Sequence, residues 1–139
     1  MVSVTRIFNF CAGHRLSRPE WTDDQNFAVF GPCANPNGHG HNYSLEVTVS
    51  GKINPETGMV LNLRQLETLV QDSFITAVDH KNLNADVAWF ANLVPTTENV
   101  IEVAWARIAE AIASKFSEAR LVSMVLHETP KNRVSKTAD

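Results

Sequence analysis

The chain has 139 residues, of which 44% are hydrophobic and 19% are charged, and its formal net charge is -3 at pH 7. This length and composition are typical of a globular protein, so we expect residues 1–139 to form a single domain. The acidic balance argues against non-specific binding to nucleic acid or to anionic membrane surfaces, both of which attract basic proteins. With two cysteines, no apolar run of bilayer length and no signal-peptide pattern, the sequence predicts a cytoplasmic protein.

Two segments alternate apolar and polar residues, which is the pattern of half-buried strands. The first lies at the N-terminus and ends with His14 on its more apolar face, while Cys11 lies on the opposite face. The second begins with His39 and His41 on the apolar face and runs to Gly51. The long connection between these strands contains several aromatic residues, so we expect it to be ordered.

Two helices are predicted after the second strand. Residues 62–78 carry apolar side chains at helical spacing, and Asn62 is a suitable N-cap. The second helix is expected to begin near Thr96, which can act as its N-cap, with Glu98 complementing the positive end of the helix dipole.

A third strand is predicted over residues 121–128, with one face formed by Val122, Met124, Leu126 and Glu128. Residues 131–139 are poor in apolar side chains, so a fourth strand after the turn at Thr129 is only weakly indicated. The order of strands and helices (ββααββ) predicts an α+β fold, with an antiparallel four-stranded sheet covered on one face by two helices.

Three histidines form the most informative pattern in the chain. Because residues i and i+2 of a strand point to the same face, His39 and His41 can direct both imidazoles at one point. His14 ends another apolar row, and three imidazoles leave one tetrahedral position free, as in catalytic zinc sites. Ligand type alone also allows iron, nickel or copper, and each histidine taken singly could be an ordinary hydrogen-bonded residue.

Four further residues are candidates for the chemistry, and each has a structural alternative. Cys33 lies close in sequence to the candidate ligands and is either a nucleophilic base or a small buried hydrophobe. Asp79 could orient His80 as a proton carrier, although together they also fit a simple helix C-terminus. Glu128 ends a strand, where a carboxylate is either partly solvated or held for a partner with paired N–H donors, such as an aminopyrimidinone ring.

Together these motifs resemble the 6-pyruvoyl-tetrahydropterin synthase family, and the match covers nearly the whole chain. The matching segments are Phe10-Cys-Ala-Gly-His14-Arg-Leu, Phe30-Gly-Pro-Cys33, Asn35-Pro-Asn-Gly-His-Gly-His-Asn-Tyr43, Thr57-Gly-Met-Val60, Asp79-His-Lys-Asn-Leu83, Thr96-Thr-Glu-Asn99 and His127-Glu-Thr129. Each segment is short, but their common order is specific.

The resemblance implies a tunnelling fold, in which three subunits join their sheets into a barrel and two such rings stack into a hexamer. It implies one zinc ion per subunit on His14, His39 and His41. The implied catalytic residues are Cys33 as the proton-accepting base, Asp79 and His80 as a relay pair, and Glu128 as the pterin anchor. Thr96, Thr97 and Glu98 match a segment near the pterin pocket.

The implied reaction converts 7,8-dihydroneopterin triphosphate to 6-pyruvoyl-tetrahydropterin with elimination of triphosphate. Five residues separate Cys33 from His39, as in the pyruvoyl-forming synthases, whereas the 6-carboxytetrahydropterin synthases of queuosine biosynthesis typically have a shorter interval. Formation of the 6-carboxy product, aldolase cleavage of a dihydroneopterin side chain, and a non-catalytic pterin- or metal-binding module remain the alternatives. Mg²⁺ could accompany the triphosphate, for which Arg15, Arg18, Lys81 and Arg133 are candidate partners.

Overall fold

The computed structural model describes residues 1–139 as a five-stranded sheet with helices packed against it. Its strands are β1 (Val2–His14), β2 (His39–Gly51), β3 (Lys81–Asn82), β4 (Ala119–Thr129) and β5 (Asn132–Thr137). Its helices are α1 (Asp23–Phe30), α2 (Leu63–Val70), α3 (Thr76–Val78), α4 (Leu83–Asp86) and α5 (Thr97–Lys115), with 3₁₀ turns at Gly31–Ala34 and Ala88–Phe90 and a π-helical segment at Gln71–Ile75. The predicted α+β class is confirmed.

The strands β1 and β2 form the longest ladder of the sheet. They pair antiparallel from Val2 opposite Gly51 to His14 opposite His39. Along both strands alternate side chains are buried, and the buried row consists of Phe8, Phe10, Ala12, Tyr43, Leu45, Val47 and Val49. Because this apolar face continues directly into the histidines, the register of the ladder also determines where those histidines lie.

The helices cover the apolar face and complete a single hydrophobic cluster. Their buried contributions are Leu66, Val70, Phe74, Val100, Ile101, Ala104, Ile108 and Ile112. Asn62 caps α2 by accepting from the backbone N–H groups of Arg64 and Gln65, and Thr96 caps α5 by accepting from Asn99 N–H, as the sequence predicted. None of the helices is both long and apolar enough to cross a membrane.

The sheet differs in one respect from the predicted four-stranded antiparallel arrangement. Strand β3 adds a fifth strand that pairs parallel with β1, so the sheet is mixed. Strand β5 forms fully, because its backbone pairs with β4 even though few of its side chains are apolar. The long connection before β2 contains α1, whose Asn26 is buried and hydrogen-bonds both backbone groups of Arg18.

The expectation that Val122 shares a face with Met124, Leu126 and Glu128 is wrong. A β-bulge shifts the register between β2 and β4, so that Ser123 lies opposite Thr48 whereas Leu121 lies opposite Val49. Leu121 is therefore buried in the core and Val122 is only half-buried. A bulge adds one unpaired residue and reverses the alternation beyond it.

Candidate metal centre and active site

The three predicted histidines come together at the end of the β1–β2 ladder. Their ring centroids are 4.6 Å (His14–His39), 5.2 Å (His14–His41) and 4.9 Å (His39–His41) apart. One nitrogen from each ring lies within 4.8 Å of the others, and the Nε2 atoms of His14 and His39 are 3.0 Å apart. Three nitrogen donors at this separation can bind one divalent cation, so the predicted group exists in the structure.

His14 is oriented by the segment that precedes α5. Its Nδ1 lies 2.7 Å from the carbonyl oxygen of Pro95, and the His14 side chain is almost completely buried. A carbonyl can only accept, so Nδ1 carries the proton and Nε2 keeps a lone pair directed at the other histidines. This is the arrangement of a metal-binding histidine whose second nitrogen is held by an outer partner.

The electrostatics of the site favour the neutral imidazole at two of the three histidines. Burial lowers the pKa of His14 below its ordinary value of 6.5, and the nearby His39 and His41 lower it further, against the opposing effect of the Pro95 carbonyl. Burial and then His41 lower the pKa of His39 in the same direction. Because a metal ion binds only the neutral imidazole, these shifts keep the donors available at neutral pH.

Glu128 lies beside the histidines and is held by α5. Its Oε2 accepts a 2.5 Å hydrogen bond from the Thr97 hydroxyl, and its Oε1 is 3.9 Å from His41 Nε2. Thr97 is buried at the first turn of α5, whereas the Glu128 side chain is 17% exposed and can therefore be reached by a ligand. The predicted anchor and one residue of its predicted binding segment are thus in direct contact.

A cavity of about 360 Å³ opens next to this pair. It is lined by Thr97, Glu98, Glu128, Lys131, Asn132, Arg133 and Val134. Of the four basic residues considered for a triphosphate, only Arg133 lines this cavity, and the sequence analysis missed Lys131 beside it. Arg15 and Arg18 instead form ion pairs with Asp23 and Glu20.

The other two members of the predicted binding segment occupy different positions. Thr96 uses its hydroxyl oxygen to cap α5, which is a structural role. Glu98 is exposed and lines the cavity that contains Glu128.

Cys33 lies in the 3₁₀ turn Gly31–Ala34 and is half-buried. Its carbonyl oxygen accepts a 2.9 Å hydrogen bond from Leu16 N–H, and the neighbouring Ala34 carbonyl accepts one of 2.8 Å from Arg15 Nε. These bonds tie the turn to the residues that follow His14. Cys33 is therefore held beside the segment that follows His14.

Asp79 and His80 do not share a cavity with Cys33 within one chain. Asp79 Oδ1 is 3.0 Å from His80 Nδ1 and accepts a 3.0 Å bond from the Cys11 backbone N–H. The Cys11 bond, and then the contact with His80, lower the pKa of the Asp79 carboxyl. His80 has a φ of 61°, and its side chain is 78% exposed.

Comparison with known proteins decides the family. The family model for 6-pyruvoyl tetrahydropterin synthase matches residues 3–139. The chain belongs to this family. It is 47% identical over 132 residues to 6-pyruvoyl tetrahydrobiopterin synthase of Poecilia reticulata, covering 94% of this chain and 86% of that protein.

Two further relatives agree with this result. The chain is 43% identical over 131 residues to the 6-pyruvoyl tetrahydrobiopterin synthase of Pongo abelii, covering 94% of this chain and 88% of the relative. The structure of Caenorhabditis elegans 6-pyruvoyl tetrahydropterin synthase superposes with a TM-score of 0.89 at 34% identity, over 99% of this chain and 96% of that one. Membership confirms the resemblance found in the sequence and the prediction that the chain is an enzyme of the lyase class.

Proposed function

We propose that this protein is a zinc-dependent 6-pyruvoyl-tetrahydropterin synthase that converts 7,8-dihydroneopterin triphosphate and eliminates triphosphate. The observation that carries this proposal is the position of Glu128, which lies 3.9 Å from one of three convergent histidines and is open to a cavity. A pterin anchored on this carboxylate would extend its side chain toward the metal site. We also propose that residues 1–139 act as one domain in the cytoplasm.

Glu128 is suited to bind the aminopyrimidinone edge of the pterin. An ionised carboxylate only accepts hydrogen bonds, and the pterin edge offers a pair of N–H donors. The Thr97 hydroxyl donates a hydrogen bond to Oε2 and so fixes the orientation of the Glu128 carboxylate before the substrate binds. Such fixation lowers the ordering cost of binding.

His14, His39 and His41 would hold one Zn²⁺, the ion most suited to a site with three imidazoles and an open position. When bound, this ion supplies Lewis-acid polarisation of the oxygens on the substrate side chain. The Pro95 carbonyl keeps the ligand nitrogen of His14 unprotonated, and Glu128 sets the distance between the ring and the metal site.

Cys33 is proposed as the base that removes a side-chain proton, and His80, oriented by Asp79, as the carrier that returns protons to the ring. Within one chain, His80 faces a cavity that does not include Cys33. We therefore propose that the active form is a homo-oligomer, most simply a hexamer of two stacked trimers, in which His80 of one subunit serves the site of another. Lys131 and Arg133, which line the cavity with Glu128, are proposed to attract the triphosphate, with Mg²⁺ as its counter-ion.

The test is to incubate zinc-loaded protein with 7,8-dihydroneopterin triphosphate and to identify products by mass spectrometry, with chelator-treated protein as the control. The proposal expects a 6-pyruvoyl product and free triphosphate in equal amounts, formed only by the zinc-loaded protein. A 6-carboxy product with acetaldehyde, or a product of side-chain aldol cleavage, would identify one of the alternative enzymes. Tight pterin binding without turnover would support the non-catalytic module instead.

A further inference from the structure

The cavity around His80 contains a second group of metal-ligand side chains, separate from the three histidines. The sulfur of Cys11, a carboxylate oxygen of Asp79 and a ring nitrogen of His80 all lie within 4.8 Å of one another. We propose that these three side chains form a regulatory site for a thiophilic divalent cation such as Zn²⁺ or Cd²⁺, and that its occupation stops catalysis.

Hydrogen bonds from the Cys11 backbone hold Asp79 and His80 close to the Cys11 side chain. Its N–H donates to Asp79 Oδ1 at 3.0 Å, and its carbonyl accepts from the backbone N–H of His80 at 2.6 Å. The Cys11 backbone therefore holds the side chain of Asp79 through its N–H and the main chain of His80 through its carbonyl. Because Ala12 of β1 is paired with Lys81 of β3, the sheet keeps this connection in register.

The backbone of His80 directs its ring back toward Asp79. Its φ of 61° is rare for a residue other than glycine and makes the chain reverse between α3 and β3. With this φ, Nδ1 comes to 3.0 Å from Asp79 Oδ1. Asp79 and His80 thus direct two ligand atoms at one point. Backbone strain such as the positive φ of His80 is typical of functional positions.

The donors are accessible and of the right kind. Cys11 and His80 border an open cavity of about 450 Å³ that is also lined by His41, Asn42, Lys81 and Asn82. Tetrahedral zinc with sulfur, nitrogen and oxygen ligands places those atoms roughly 3.3–3.8 Å apart, so small side-chain rotations close the group. A thiolate with an imidazole selects Zn²⁺ or Cd²⁺ over Mg²⁺ or Ca²⁺, and the Lys81 ammonium near the site moderates its affinity.

The consequence for activity depends on the function proposed above. A cation on Asp79 and His80 would occupy the lone pairs that proton transfer requires. Zinc would then act at two levels, supporting activity on the three histidines and inhibiting it when excess zinc fills the Cys11 site. Both sites have three protein ligands, but the second is more exposed and is therefore expected to be the weaker one.

Binding can be tested without any turnover. Protein loaded with one equivalent of Zn²⁺ is titrated with Cd²⁺, and the ultraviolet absorption of cadmium bound to thiolate is recorded together with bound metal by equilibrium dialysis. We expect one further equivalent with a thiolate signal, and at least a ~10-fold weaker second site in Cys11→Ser. The matched variant Cys33→Ser removes the only other thiol and should leave both signals unchanged.

Two results would overturn the proposed site: no second equivalent in the unmodified protein, or a second equivalent whose affinity is unchanged in Cys11→Ser. Circular dichroism of both variants checks that they are folded. A separate assay of product formation at one equivalent of zinc tests the synthase function, so failure of either proposal is recognised independently. If both hold, excess Zn²⁺ should inhibit the unmodified protein at lower concentrations than it inhibits Cys11→Ser.

Discussion

His14 Nδ1 lies 2.7 Å from the carbonyl oxygen of Pro95, which joins the end of the central ladder to the start of α5. The same helix begins with Thr97, which holds Glu128. One short segment therefore orients both a candidate metal ligand and the candidate pterin anchor. This connection gives the site a fixed separation between its two halves before any ligand binds.

Removing one imidazole should remove the metal. We expect His39→Ala to weaken zinc affinity by at least ~100-fold, since even the loss of an outer partner of a ligand costs about 10–100-fold. The control is His127→Ala, because His127 pairs with Glu46 at 2.6 Å and is not one of the convergent histidines. Elemental analysis after dialysis measures both variants, and equal zinc content would contradict the assignment of the metal site.

Two glycines provide a matched pair of backbone tests. Gly38 and Gly58 share a φ of 71°, but a Cβ on Gly38 would lie 2.9 Å from the His14 carbonyl oxygen, whereas one on Gly58 would meet nothing within 4 Å. We expect both alanine variants to lose about 1 kcal/mol of stability from the positive φ. Only Gly38→Ala should also lose zinc affinity, because relief of the clash displaces the strand end that carries His39.

Loss of the Thr97 hydroxyl should impair binding of the pterin. In Thr97→Val, Glu128 loses a hydrogen bond and its fixed orientation, and we expect KM to rise about 10-fold (~1.4 kcal/mol) while zinc content is unchanged. Thr97→Ser retains the hydroxyl and should remain close to the unmodified enzyme. Identical kinetics of the valine and serine variants would contradict this role for the hydroxyl.

Removal of the Cys33 thiol should abolish most of the turnover. A positioned base contributes about 10²–10⁴-fold to rate, so kcat of Cys33→Ala should fall by that factor with zinc still bound. At one equivalent of zinc, Cys11→Ser serves as the thiol control and should keep its kcat. Normal turnover by Cys33→Ala would refute its assignment as the base.

The Asp79 carboxylate should stabilise the fold at neutral pH and lose this effect in acid. The Cys11 N–H bond lowers its pKa below 3.8 in the folded state, so the unfolded state binds the proton more readily. Stability from this group is therefore present above pH 3.8 and is lost as the pH falls through the folded pKa. Urea unfolding of Asp79→Asn and the unmodified protein should give a difference that shrinks below pH 4; a constant difference would contradict the argument.

The cluster of three histidines was predictable because its main determinants are local. Alternation along a strand places His39 and His41 on one face, and the apolar row leading to His14 does the same in β1. The helix caps at Asn62 and Thr96 are equally local and were predicted. For the same reason the α+β class could be derived without reference to any relative.

The remaining features depend on contacts between distant parts of the chain. Strand β3 has two residues, which are too few to show a periodic pattern. It forms because its backbone pairs with the edge of β1. The bulge at Val122 cannot be located from the sequence, because the adjacent apolar residues Leu121 and Val122 fit either face of the strand. The contact of Cys11 with Asp79 joins residues 68 positions apart, so the sequence indicated only that Cys11 faced away from the histidines.

The register that places His14 opposite His39 has a further consequence for the sheet itself. These two residues form the last rung of the ladder, and the excursion of residues 15–38 separates them along the chain. An ion shared by them would cross-link the two strands at the end where residues 15–38 connect them, and so would limit fraying there. It would also close residues 15–38 into a loop. Part of the free energy of metal binding would therefore stabilise the β1–β2 pair against strand separation.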